Sequence, residues 1–127
     1  MRDFFLVGGG GFAGSVIRFY LGGIIFQACG APRFPIATLA INALGCLLIG
    51  MISAAAEHFH VLTPQVRLLL ITGFLGGFTT FSAFGYETYF LSREQLPSYA
   101  VANVLLQVGL GLSAVWAGHK IVDLLAV

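Results

Sequence analysis

Gly73-Phe-Leu-Gly-Gly-Phe-Thr-Thr-Phe-Ser-Ala-Phe84 lies in the middle of an apolar segment, residues 68–90, long enough to cross a bilayer. It carries Gly73, Gly76 and Gly77, and the hydroxyls of Thr79, Thr80 and Ser82, close to the bilayer midplane. Lipid offers no partners to loose backbone groups, and each one left unpaired costs several kcal/mol. Two arrangements answer this. Either the glycines only allow close helix packing, as Gly73-x-x-x-Gly77 suggests, or the helix breaks and its freed backbone binds something, as Gly-Gly followed by Thr-Thr suggests. The break is the favoured expectation, because discontinuous helices at mid-membrane mark ion sites.

The rest of the composition agrees with a membrane setting. The 127 residues are 58% apolar, with mean hydropathy +0.96 and only 9% charged, against about 25% charged in soluble domains. A net charge of +1 leaves no basic footprint for nucleic acid. Cys29 falls in a loop and Cys46 within a helix, so a disulfide framework is not expected, and Cys46 reads as a small apolar packer.

The chain divides into one domain of four spans, at about residues 4–26, 36–56, 68–90 and 99–120. The first covers roughly 34 Å, enough to cross with some tilt, and its weak n-region and long apolar run argue for a retained span rather than a signal peptide. Gly9-x-Gly11-x-x-Gly14 matches a dinucleotide fingerprint on paper but has no strand or βαβ unit around it. Gly10-x-x-x-Gly14 reads better as a helix–helix contact. Arg18 either snorkels to the interface or stands as a fixed positive charge at the mouth of an anion pathway. Thr38 and Asn42 are four apart and share a face of the second span, as Asn103 and Gln107 do in the fourth. Glu57, His58 and His60 read as a solvated turn rather than a metal site, and His119, Lys120 and Asp123 as a wet C-terminal end.

Four spans place both termini and the middle loop on one side, with Arg2, Arg67 and Lys120; the other side carries Arg33 and Arg93, with Arg18 if it leans that way. The positive-inside rule finds almost no bias here, so insertion in both orientations is expected. Thin glycine-rich helices cannot enclose a pore alone, and a dimer of oppositely oriented copies solves both problems.

Within the membrane the side-chain donors are Asn42, Asn103, Gln107, Thr38, Thr79, Thr80, Ser82 and Arg18, against one carboxylate, Glu87, near an end. That balance favours an anion over a cation. Phe81 and Phe84 share a helix face beside the break, and the positive edge of a phenyl ring suits a small anion. No nucleophile–base pair, metal-ligand cluster or phosphate loop stands out, so an enzyme is not expected.

At these residues a family resemblance enters. Gly73 to Phe84 closely resembles the signature of the Fluc (CrcB) fluoride channels; Gly14-Ser-Val-Ile-Arg18-Phe-Tyr20 looks like the family's first-helix motif, and Thr38-Leu-Ala-Ile-Asn42 with Gly45 and Gly50 like its second. The resemblance implies an all-α integral membrane protein of four helices, the third broken at its centre, in an antiparallel, dual-topology homodimer with two fluoride pores. It implies a structural Na⁺ at the dimer axis, held by the backbone carbonyls of Gly76 and Thr79. Phe81 and Phe84 would line the pore and Asn42 would be its amide, with Ser82, Thr80 and Thr38 on the fluoride pathway and Asn103 and Gln107 on a polar track. Arg18 would sit near the vestibule and Glu87 on the outer third helix. The implied activity is passive efflux of cytoplasmic fluoride across the inner membrane, conferring fluoride resistance. Two positions depart from the family pattern: Ala83 stands where Thr is common, and Gly111 where Ser is common. Two other classes share the outline. A small multidrug-type transporter would need a carboxylate where the first span has Arg18, and a non-conducting assembly subunit would pass no ions.

Overall fold

The computed structural model describes residues 1–59 and 62–126; His60, part of the His-x-His pattern, lies outside them. The described residues form α1 (Arg2–Ala28), α2 (Ile36–Phe59), α3 (Pro64–Arg67), a π-helix (Leu68–Leu75), α4 (Gly76–Phe78), α5 (Phe81–Arg93) and α6 (Pro97–Leu125). Among the described residues, Pro64–Arg93 taken together make the third of four helical stretches long and apolar enough to cross a membrane. Gly9, Gly11 and Gly14 all lie inside α1, so no strand precedes them and the dinucleotide fingerprint has no footing.

The helix ends follow local chemistry. Pro64 and Pro97 occupy first-turn positions, where no amide hydrogen is needed. The Thr63 hydroxyl accepts from the Val66 amide at 3.3 Å and caps the third span. The turns before α2 and α6 each place one non-glycine residue in the left-handed region, Ala31 (φ 51°) and Gln95 (φ 58°).

Two backbone-to-backbone seams hold the helices together. Along the first, α1 lies against the π-helix and α4. A Cβ on Gly10 would stand 2.8 Å from the Phe74 nitrogen, one on Gly14 would be 2.8 Å from the Phe78 nitrogen, and one on Gly77 would strike the Gly11 backbone. Gly10-x-x-x-Gly14 and Gly73-x-x-x-Gly77 therefore face each other, as small residues do where helices approach without a hydrophobic drive. Along the second seam, α2 meets α6 through Gly50 against the Val115 carbonyl and Gly118 against that of Leu47. Between the seams Ile41, Leu75 and Phe78 form the buried core, with Leu21, Ile25, Leu48 and Phe74 packed around it.

The first seam carries a direct prediction. Gly14→Val places side-chain atoms against backbone, which has no rotamer to yield, and overpacking of this kind costs about 3 kcal/mol or more. Thermal unfolding in detergent and size-exclusion profiles should show loss of the folded species. Gly9→Ala, where nothing lies within 4 Å of the added carbon, should be neutral or slightly stabilising.

The far ends of α2 and α6 are tied rather than simply wet. The His58 ring nitrogen lies 2.8 Å from Asp123, Lys120 donates to Asp123 at 3.1 Å, and His119 stands 3.6 Å from Asp123 and 3.8 Å from Glu57. These groups are partly exposed, so the tie contributes little to stability. Among the described residues no cluster of three or more potential metal ligands forms.

Candidate ion site at the helix break

The third span is interrupted at two residues. Thr79 (φ −87°, ψ 160°) and Thr80 (φ −151°, ψ 113°) are extended between α4 and α5. The break thus falls on the Thr-Thr pair, while Gly76 and Gly77 stay helical. The glycines and the break are not alternatives: Gly73 and Gly77 seat the helix on α1, and the threonines open it two residues later.

Several backbone groups freed by the break find side-chain partners. Thr79 still closes its helix, with both its amide and its hydroxyl donating to the Leu75 carbonyl at 2.9 Å. The Thr80 amide turns away and donates to Asn42 Oδ1 at 2.9 Å. Asn42 Nδ2 donates in return to the Thr80 carbonyl at 3.2 Å, and also to Gln107 Oε1 at 3.1 Å. The Ala83 amide donates to Thr80 Oγ1 at 3.2 Å, a side-chain cap on α5. In an unbroken helix the Thr80 and Ala83 amides would serve the carbonyls of Gly76 and Thr79. Both are diverted to side chains, so these two carbonyls lose their helical donors. Their neighbour Gly77 accepts from the Ser15 hydroxyl at 3.4 Å.

A cavity of about 440 Å³ opens beside the break. Its lining includes Asn42, Cys46, Gly76, Thr79, Thr80, Phe81, Phe84 and Gln107. The Phe81 and Phe84 rings meet edge to face, centroids 5.4 Å apart and planes at 68°; Phe81 is 82% exposed. Thr80 and Ser82 hydroxyls lie 3.2 Å apart, so one hydrogen bridges the pair and the other remains to be given. Both Asn42 amide hydrogens are engaged, whereas Gln107 Nε2 is buried with no partner among the described residues. Gln107, which lines this cavity, is thus held by Asn42 through its Oε1 while its own amide hydrogens are unpaired among the described residues.

The remaining sequence candidates gather nearby but off the cavity wall. Thr38 donates to Glu87 Oε1. Asn103, fully buried, donates to Thr88 Oγ1 at 2.9 Å, and Thr88 donates to the Phe84 carbonyl at 2.8 Å. Glu87 Oε2 and Asn103 Oδ1 have no partner among the described residues. Arg18 is half-buried on α1 and does not line the cavity. Sequence reasoning passed over Thr88, and it carried Ser15 and Gly45 only as motif members without assigning them a contact; the Thr79 methyl group packs against Gly45. Thr88 carried a usable signal, a hydroxyl one helical turn after Phe84; the motifs holding Ser15 and Gly45 did not show what either residue touches.

Comparison with known proteins places this arrangement in a family. Residues 5–119 match the family described as "CrcB-like protein, Camphor Resistance (CrcB)". A protein of Methylobacillus flagellatus named "Fluoride-specific ion channel FluC" is 42% identical over 124 residues, covering 98% of this chain and 97% of its own length. One of Chlorobaculum tepidum with the same name is 45% identical over 125 residues, with coverage of 98% and 97%. A third, from Solibacter usitatus, is 44% identical over 115 residues, 91% of this chain and 93% of its own. With the match spanning nearly the whole chain, break and cavity included, this four-span membrane protein belongs to the CrcB family.

Proposed function

We propose that the chain is a fluoride-selective channel that lets cytoplasmic fluoride leave passively across the inner membrane, and so confers fluoride resistance. The observation that carries this is the cavity at the break. It brings Gln107, Thr80, whose hydroxyl is bridged to that of Ser82, and the Phe81 and Phe84 rings around one space, beside full-length relatives named for fluoride.

Fluoride is small and holds water tightly. A pore that passes it must replace that water with donors, yet bind weakly enough to release the ion. Asn42 orients Gln107 so that its Nε2 hydrogens remain to be given. Thr80 and Ser82 share one hydrogen and offer the other. The Phe edges carry partial positive charge without a hydrogen-bonding hydrogen, which gives a weak site between stronger ones. Asn103, Thr88, Thr38 and Glu87 would continue the polar line along α6, α5 and α2, and Arg18 would raise local anion concentration from α1.

The working unit would be an antiparallel, dual-topology homodimer. The near-even Lys and Arg count on the two sides supports it. So do the diverted carbonyls of Gly76 and Thr79. Both residues border the cavity, and two carbonyl oxygens from one copy fall well short of the about six oxygens a hard cation takes. Two copies would offer four, and Na⁺ bound there would supply a fixed positive charge at the axis. The oxygen-only donor set fits such an ion.

Efflux from liposomes holding the purified protein, with Na⁺ on both sides and fluoride and chloride measured together, tests this. Rapid fluoride release with little chloride release is the expected result. No release from a folded dimer would favour the non-conducting assembly subunit. The multidrug-type alternative lacks its proton-exchanging carboxylate: the acidic residue of α1 is Asp3, in its first turn.

A further inference from the structure

A second recess lies away from the ion site, where the loop between α1 and α2 meets the turn between α5 and α6. It has a volume of about 320 Å³ and is lined by Arg33, Phe90, Leu91, Glu94 and Leu96. We propose that it is a binding site for the headgroup of a bilayer phosphatidylethanolamine, with the phosphate on Arg33, the ammonium on Glu94 and the start of an acyl chain along Phe90 and Leu96.

Its charges and its position both point to this occupant. The recess holds one cation and one anion, both exposed, and neither takes part in an ion pair among the described residues. Arg33 and Glu94 therefore face the recess as separate charges. The neighbouring Arg93 does not neutralise Glu94: its guanidinium donates to the Tyr89 hydroxyl at 3.1 Å and lies 6.0 Å from that ring's centroid. Residues 29–35 and 94–96 connect consecutive spans on the same side, which sets the recess at the membrane–water boundary. Phe90 is half-exposed on α5 and Leu91 is buried behind it, so the apolar wall continues from the charged rim toward the hydrocarbon.

A zwitterionic phospholipid carries the complementary pattern of phosphate, cation and apolar tail. The cation is what discriminates. A primary ammonium donates hydrogen bonds to a carboxylate, and charge-assisted bonds of this kind are the strong ones. A choline headgroup has no such hydrogen and is held by aromatic cages, whereas this recess offers a single ring. Phosphatidylglycerol has no cation to set on Glu94.

Native mass spectrometry of the full-length protein, released from nanodiscs of equimolar phosphatidylethanolamine, phosphatidylcholine and phosphatidylglycerol with identical acyl chains, tests the assignment. Phosphatidylethanolamine adducts should exceed phosphatidylcholine adducts about tenfold, the scale of one retained charge-assisted hydrogen bond. Glu94→Gln, which keeps the side-chain shape, should bring that ratio to about one. Arg33→Gln should reduce all three lipids, because each presents a phosphate. Both variants should keep wild-type fluoride efflux, which separates this site from the ion pathway. Equal retention of the three lipids by the wild-type chain, dominance of phosphatidylglycerol, or a preference unchanged in Glu94→Gln would overturn the proposal. So would retention of no lipid, the result expected if a second copy of the chain covers the recess.

Discussion

Phe81→Ile and Phe84→Ile should each lower fluoride flux at least about a hundredfold, while the protein stays folded and keeps its wild-type elution volume. A hundredfold loss corresponds to about 2.7 kcal/mol at 1.36 kcal/mol per decade, the scale of losing one favourable station for a dehydrated anion. Isoleucine keeps apolar bulk but has no positive ring edge. The two rings form one edge-to-face pair, so neither has a substitute. Phe81 is largely exposed in the single chain, so its replacement removes little packing, and gel filtration should be unchanged. Flux is read by fluoride electrode from liposomes; normal flux in both variants would end the assignment of these rings to the pathway.

Asn42→Leu should have a comparably large effect, for a different reason. The Asn42 amide accepts from the Thr80 nitrogen and donates to the Thr80 carbonyl and to Gln107. Leucine fills similar volume but serves none of them. A buried amide left unsatisfied costs about 1–3 kcal/mol, and Gln107 loses the partner that orients it. Flux should fall to background, with the unfolding temperature lowered as well. Full flux through Asn42→Leu would end the assignment of Asn42 to the ion pathway.

Much of the molecule was legible because hydropathy and glycine spacing are local properties. Four apolar runs with charges only near their ends admit few folds but helices in lipid, and Gly10, Gly14, Gly73 and Gly77 stand at the spacing of close helix contacts. The stretch from Gly73 to Phe84 also announced an interruption. Its position two residues beyond the Gly-Gly pair was not announced, because that depends on Asn42 and on the Thr80 cap, and long-range hydrogen bonds leave no mark in a single sequence. The π-helix at Leu68–Leu75 had no signal either; its four leucines and its phenylalanine suit an ordinary α-helix, and the wider turn lies where the span meets the glycine face of α1. Asn103 and Gln107 could be put on one face, but not assigned to Thr88 and Asn42. The tie between His58 and Asp123 joins residues from opposite halves of the chain and could not be anticipated from either terminus.

The Asn42 clamp also constrains the order of events during synthesis. Thr80 is satisfied by a residue 38 positions earlier, and Gln107 reaches Asn42 across 65 positions. While the third segment enters lipid alone, no local group can take its loose amide, and an intact helix is the cheaper state. Asn42 leaves the ribosome first, so the group that opens the helix already waits in the membrane when Thr80 arrives. Gln107 arrives last and locks the amide in place. In biogenesis, then, the gap at Thr79 and Thr80 is a tertiary product, cut into a nascent helix by a neighbour inserted before it.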